Sequence, residues 1–165
     1  VSHTTTYSYD SMNRLTGITY PDSTSTKFAY DYRGRRISVT DGNGKVTSYG
    51  YDDADHLVSV TDAANNLTAY GFDTENHLAS ITDAPGRVTS FSYDSLGRVT
   101  AVTFPSSLGE SYTYDAVSNL LSKTDRKGQP IDYAYDNLDR LITKTYPDST
   151  TVNYTYDLLL SLIHI

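Results

Sequence analysis

The chain has 165 residues, a formal charge of -7 and no cysteine, which excludes a disulfide framework and thiol chemistry. The acidic balance also argues against nucleic acid and anionic membrane surfaces, whose phosphates require the opposite sign. Hydrophobic residues make up only 38%, but 16 Tyr and 4 Phe supply large amphipathic rings that gain from partial burial even in a thin sheet.

In chain order, the first element carries Tyr7 and Tyr9 and runs into Asp10 and the turn former Asn13. A short segment with Leu15 and Ile18 follows, ending at Thr19. A second turn, Tyr20-Pro21-Asp22-Ser23, leads into another segment that ends at Phe28 and Tyr30, and there the pattern restarts. The anchors are Tyr9-Asp10, Tyr30-Asp31, Tyr51-Asp52, Phe72-Asp73, Tyr93-Asp94, Tyr114-Asp115, Tyr135-Asp136 and Tyr156-Asp157, each 21 residues after the last. Two residues before each anchor stands a second aromatic: Tyr7, Phe28, Tyr49, Tyr70, Phe91, Tyr112, Tyr133 and Tyr154.

Turn formers occupy two further columns, Asn13 to Asp139 four residues after the anchor and Ser23 to Ser149 fourteen after it. The segments between them are short and rich in Thr, Val, Ile and Tyr, as strands are. Strands are therefore predicted near 14–19 and 24–30, recurring every 21 residues, so that each unit is one β-hairpin. The fold class is all-β: tandem hairpins in a continuous antiparallel, twisted and curved strip. About 15 strands at ~4.8 Å spacing would extend on the order of 70 Å. The repeat domain covers 1–157, and 158–165 is an apolar tail without the repeat's turn residues. The tail reads either as a foreign end or as a hydrophobic edge strand.

Alternation places Thr47, Tyr49 and Tyr51 on one face and Ser48 and Gly50 on the other. Leu15 and Ile18, three apart, fall on opposite faces by the same rule, so some packing is expected on each side of the sheet.

Little points to chemistry. His56 and His77 occupy equivalent places in neighbouring units, where Arg14, Arg35, Arg98 and Arg140 stand elsewhere. Two strand spacings, roughly 10 Å, separate such positions, too far to share one metal directly. They read as polar turn-exit residues, and the Arg column as exposed ion pairs of small value. His3 and His164 have no visible partners. Asp41-Gly42-Asn43-Gly44 fails the calcium-loop spacing because Val46 stands where a Gly is required. The anchor Asp column is explained by turn capping without an ion ladder. No nucleophile elbow, metalloprotease, P-loop or dinucleotide fingerprint occurs, so neither catalytic nor metal residues are assigned, and no cofactor is implied. A β-propeller of paired units is disfavoured, because the aromatic-Pro turns at Tyr20, Phe104 and Tyr146 do not alternate every second unit.

The recurring string, clearest in YDSLGRVTAVT (93–103) and DGNGKVTSYGYD (41–52), resembles the YD repeat of the Rhs family. That family includes bacterial Rhs and wall-associated proteins, shell subunits of insecticidal toxin complexes, and teneurins. The resemblance covers residues 5–157. It implies a β-strip spiralling into a hollow shell around a C-terminal effector, in a secreted or surface-displayed bacterial protein. Its partners would be flanking YD repeats and the effector of the same polypeptide. The sequence departs from the pattern at Lys123 and Lys144, where Val is usual, and in the tail, and the family's self-cleaving core segment is not recognisable. The opening VSHTTTYSYD, with neither an initiator Met nor a signal-like region, fits an interior piece of a longer chain. The alternative function is a surface adhesion module whose Tyr rows stack on glycans. No apolar run is long enough to span a bilayer.

Overall fold

A computed structural model describes residues 4–157 and 162–164. The strands are β1 (Thr6–Tyr9), β2 (Leu15–Thr19), β3 (Ser25–Tyr30), β4 (Arg36–Thr40), β5 (Val46–Tyr51), β6 (Leu57–Thr61), β7 (Leu67–Phe72), β8 (Leu78–Thr82) and β9 (Val88–Tyr93). They continue as β10 (Val99–Thr103), β11 (Gly109–Tyr114), β12 (Leu120–Thr124), β13 (Pro130–Tyr135), β14 (Leu141–Thr145), β15 (Thr151–Asn153), β16 (Thr155–Tyr156) and β17 (Leu162–His164). β1 to β15 follow one another in chain order within one antiparallel sheet, and no helix occurs among the described residues. The strands predicted near 14–19 and 24–30 are β2 and β3, and the 21-residue period carries through the array.

The chain divides into two units, Val1–Phe72 with Ser80–Arg87 and Asp73–Ala79 with Val88–Ile165. Both are built the same way. Every turn is a three-residue loop closed by two backbone bonds. In the first, Asn13 N donates to Asp10 O at 3.0 Å and Asp10 N to Arg14 O at 3.0 Å; in the second, Ser23 N donates to Tyr20 O and Tyr20 N to Thr24 O, each at 2.9 Å. This loop requires a left-handed residue before the closing position. Both turn columns supply it, with nine non-glycine residues, all Asn, Asp or Ser, and five glycines at positive φ. Asn and Asp enter this region at small cost because their short polar side chains bond locally.

The faces differ from the expectation at one point. In the β1–β2 pair Ser8 faces Gly17, but Tyr9 faces Leu15, so Thr16 is an extra, unpaired residue. The same one-residue bulge recurs beside Tyr30, Tyr51, Tyr93, Tyr114 and Tyr135. Directly opposed residues share a face, so Leu15 and Ile18 lie together with Tyr7 and Tyr9. The expected apolar groups on both faces are therefore corrected: the bulge gathers them on one. There Phe28 opposes Val39, Tyr49 opposes Val60 and Phe91 opposes Val102. Aromatic and β-branched pairs of this kind contribute roughly 0.2–1 kcal/mol each. The opposite face carries small residues, such as Ala29 against Ser38 and Gly50 against Ser59. No hydrophobic side chain is buried among the described residues; the face is half-covered by its own neighbours.

In the tail, 158–161 and 165 lie outside the described residues. β17 pairs with β16 so that Tyr156 faces Leu162 and Thr155 faces His164. Tyr135 and Ala134 face Leu141 and Thr143 in the same register with the same bulge. This favours the edge-strand reading of the tail over a foreign end.

Gly86 isolates the backbone requirement of the turns, because its φ is +82° and an added Cβ would meet nothing within 4 Å. Gly86→Ala is expected to cost about 1 kcal/mol, read from the urea unfolding midpoint. An unchanged midpoint would show that left-handed geometry is not what selects this column.

Candidate functional site at the Tyr-Asp turns

Each anchor Asp starts its turn and accepts from three donors. Asp94 Oδ1 takes the backbone N–H of Leu96 at 2.9 Å and of Arg98 at 3.0 Å, and its Oδ2 takes Arg98 Nε at 2.7 Å. Asp10 and Asp31 repeat this with Arg14 and Arg35. Asp136 does so with Arg140. At Asp115 the third donor is Asn119 Nδ2, at 2.9 Å. At Asp52 and Asp73 the imidazole Nδ1 of His56 and His77 lies 2.9 and 3.0 Å from Oδ2. The loop at Asp41 is an ordinary turn of the second kind, with Oδ1 accepting from Asn43 N and Lys45 N, each at 2.9 Å.

The turn-exit residue does more than the sequence suggested. Arg98 reaches across two strands: its Nη1 donates to Asp115 O at 2.8 Å, and its guanidinium lies 4.7 Å from the centre of the Tyr114 ring. Arg14 does the same to Asp31 O and Tyr30, and Arg35 to Asp52 O and Tyr51. Arg140 covers Tyr156 at 4.7 Å. His56 stacks on Phe72 at 4.4 Å and His77 on Tyr93 at 4.6 Å. The anchor hydroxyl completes the joint: Tyr30, Tyr51, Tyr93, Tyr114 and Tyr156 donate to the carbonyls of Leu15, Arg36, Leu78, Val99 and Leu141 at 2.8–3.0 Å.

Each unit therefore grips the next through cation–π contact, a charge-assisted bond to a backbone carbonyl and a phenol hydrogen bond. Three turn-exit residues go further, to the left-handed residue of the next turn: Arg35 Nη1 to Asp55 Oδ1 at 2.6 Å, Arg98 Nη1 to Ser118 Oγ at 3.2 Å and Asn119 Nδ2 to Asp139 Oδ1 at 2.8 Å. Arg14, Arg35, Arg98 and Arg140 are only 20–26% exposed, so the expected exposed ion pairs are corrected to half-covered ones. Sequence reasoning missed this because the partners are 16 residues apart and on different strands. Tyr9, with no preceding turn among the described residues, is 59% exposed.

The second aromatic column has no such cover and packs across strands: Tyr112 against Lys123 and Tyr133 against Lys144. Tyr154 interrupts β15 and β16 and donates its N–H to Ile142 O. The two unexpected lysines are accommodated differently. Lys123 Nζ lies 3.2 Å from Glu110 Oε2, which also accepts from the Tyr112 hydroxyl at 2.7 Å. Lys144 Nζ sits 4.7 Å over the Tyr146 ring. Among the described residues no three His, Asp or Glu side chains converge as a metal site would require.

The anchor carboxylates are held below their ordinary range. The leading cause is the backbone N–H of Arg14 at Asp10 and of His77 at Asp73. At Asp52 and Asp136 it is the side-chain bond from His56 and Arg140. At Asp31, Asp94 and Asp115 desolvation pushes upward, and the donors outweigh it. A depressed folded-state pKa stabilises fully above the unfolded carboxylate value, about 3.9, and that stability is lost as pH falls through the folded values. The array is expected to hold its midpoint from pH 7 to pH 5 and lose it cooperatively below about pH 4, followed by far-ultraviolet circular dichroism. Acid resistance down to pH 2 would contradict the turn-capping role.

Phe72 alone among the anchors lacks a hydroxyl. Phe72→Tyr is expected to gain about 1 kcal/mol through a new bond to Leu57 O, and Tyr114→Phe to lose a similar amount, both measured in urea. Equal midpoints for all three proteins would remove the hydroxyl from the joint.

The chain matches the Teneurin YD-shell family over residues 1–164. No curated protein sequence matches it. Among solved structures it is similar to TcdB2-TccC3 without its hypervariable C-terminal region, with a TM-score of 0.76, 17% identity and 98% of this chain covered. It is also similar to a chain of the Photorhabdus luminescens Tc holotoxin pore, with a TM-score of 0.74, 17% identity and 94% covered. In both cases it spans only 10% of the length of the matched chain, and at this identity the likeness concerns the fold. With eight in-register Tyr-Asp hairpins and a family match over nearly its whole length, the chain belongs to the Teneurin YD-shell family.

Proposed function

We propose that this chain is a non-catalytic structural segment of an Rhs-type secreted or surface protein of bacteria, one run of hairpins in a β-shell that encloses a C-terminal effector. The observation that carries the reading is the joint between units. Tyr, Asp and the turn-exit Arg, His or Asn are spent on gripping the neighbouring hairpin, and the same geometry recurs without a buried core. A sheet stabilised only by neighbour contacts is extensible, because each added unit brings its own turn and its own joint. That is the property a container wall needs.

Family membership and the fold shared with toxin-complex chains support the same reading. Its partners are then the flanking repeats and the effector of the same polypeptide. The glycan-binding alternative gains nothing from the comparisons, and the anchor rings that would stack on a sugar already have a face taken by Arg or His. The repeat domain ends at 157 by sequence, and we take the tail as the closing strand of the eighth hairpin.

Limited proteolysis of the full-length polypeptide tests this reading. An enclosed C-terminal region is expected to survive protease while the shell is intact and to be degraded once acid or denaturant opens it. A C-terminal region cut as fast in the native protein as in the denatured one would overturn the proposal.

A further inference from the structure

In the second unit the middle of each Tyr-Asp turn exposes a large aliphatic side chain. Leu96, Val117 and Leu138 stand at equivalent places and are 64%, 65% and 63% exposed. Their backbone N–H groups donate to Asp94, Asp115 and Asp136 Oδ1 at 2.9, 3.0 and 2.9 Å, which fixes the turn whatever the side chain. Glu75, Ala54 and Arg33 make the same bond at the same place in other turns. The turn geometry therefore does not ask for Leu or Val, and turn tips ordinarily favour polar residues. The preceding residues Ser95, Ala116 and Asn137 are uncharged. The three tips recur every two strands, about 10 Å apart, and so form an apolar ridge along one rim.

We infer that this ridge is a docking surface for the rim of another run of hairpins in the same polypeptide. The inference rests on the shell-segment reading and adds the surface through which runs meet. Two arguments select the occupant. Another run of 21-residue hairpins carries its turns at the same two-strand spacing, so contacts made at one tip repeat at the next. The second-turn tips show suitable chemistry, small and uncharged at Ala63, Ala64, Ala84, Pro105 and Pro147. Area is the second argument. Three such side chains leave on the order of a few hundred Å² exposed, well short of the roughly 800 Å² per partner that a free complex uses. A patch of that size holds only a partner already tethered nearby. The chain spans a tenth of the length of its structural relatives, so chains of this fold have room for many runs.

The test places a benzophenone photo-crosslinking residue at position 117 of the full-length polypeptide, with position 75 as the control on the same rim. Illumination is expected to give intramolecular cross-links from 117 to turn residues of another run, mapped by mass spectrometry, at several-fold higher yield than from 75. Cross-links to a second copy of the polypeptide, or a yield no higher than the control, would overturn the assignment. Protease protection of the C-terminal region, measured on the same sample, separates the two ideas: protection without the cross-link sinks the ridge and leaves the shell standing. Leu96→Ser with Val117→Ser and Leu138→Ser in the isolated chain is expected to leave its urea midpoint unchanged. A lowered midpoint would mean that the ridge is local packing.

Discussion

The carboxylate at the head of each turn is the interaction on which the rest of the structure depends. One oxygen organises the loop by accepting two backbone N–H groups, and the other positions the turn-exit side chain. Once Arg98 is held on Asp94, its remaining nitrogens and its flat face point at the next unit and meet the Asp115 carbonyl and the Tyr114 ring. The turn and the joint between units are thus one network. This explains why Tyr, Asp and Arg recur as a set: each is idle without the other two.

The network also accounts for a sheet without a core. A single layer cannot bury side chains on two sides, so its stability is a sum of hairpin terms and nearest-neighbour terms. The bulge beside each anchor increases that sum by turning Leu15 and its equivalents onto the aromatic face. It leaves the opposite face to Gly, Ala and Ser, whose small side chains let neighbouring strands pair without crowding. Where the aromatic face receives a charge, local partners absorb it, as Glu110 does for Lys123.

Much of the fold was legible in the sequence, and the reasons are particular. The turns were visible because left-handed backbone admits few residue types, so Asn13, Gly34 and Ser149 mark their columns without tertiary information. Strand positions followed from the space between turns. The bulge was invisible: a separation of three between Leu15 and Ile18 means opposite faces in a regular strand and the same face only when one residue is extra. The joint was hidden for a different reason. Arg14 and Tyr30 are 16 residues apart and meet only after two strands are laid side by side, so their regular recurrence appeared as two separate columns. The half-covered state of the Arg side chains was missed with it, because cover comes from the next unit rather than from local sequence.

The central claim is that neighbouring hairpins hold each other through the turn-exit side chain and the following anchor ring. A double-mutant cycle with Arg98→Ala and Tyr114→Leu, read by urea unfolding, measures this most directly. The account expects a coupling of roughly 0.5–1 kcal/mol between these two sites, and none between Arg98→Ala and Tyr30→Leu, which belong to different joints. Strict additivity at Arg98 and Tyr114 would contradict it.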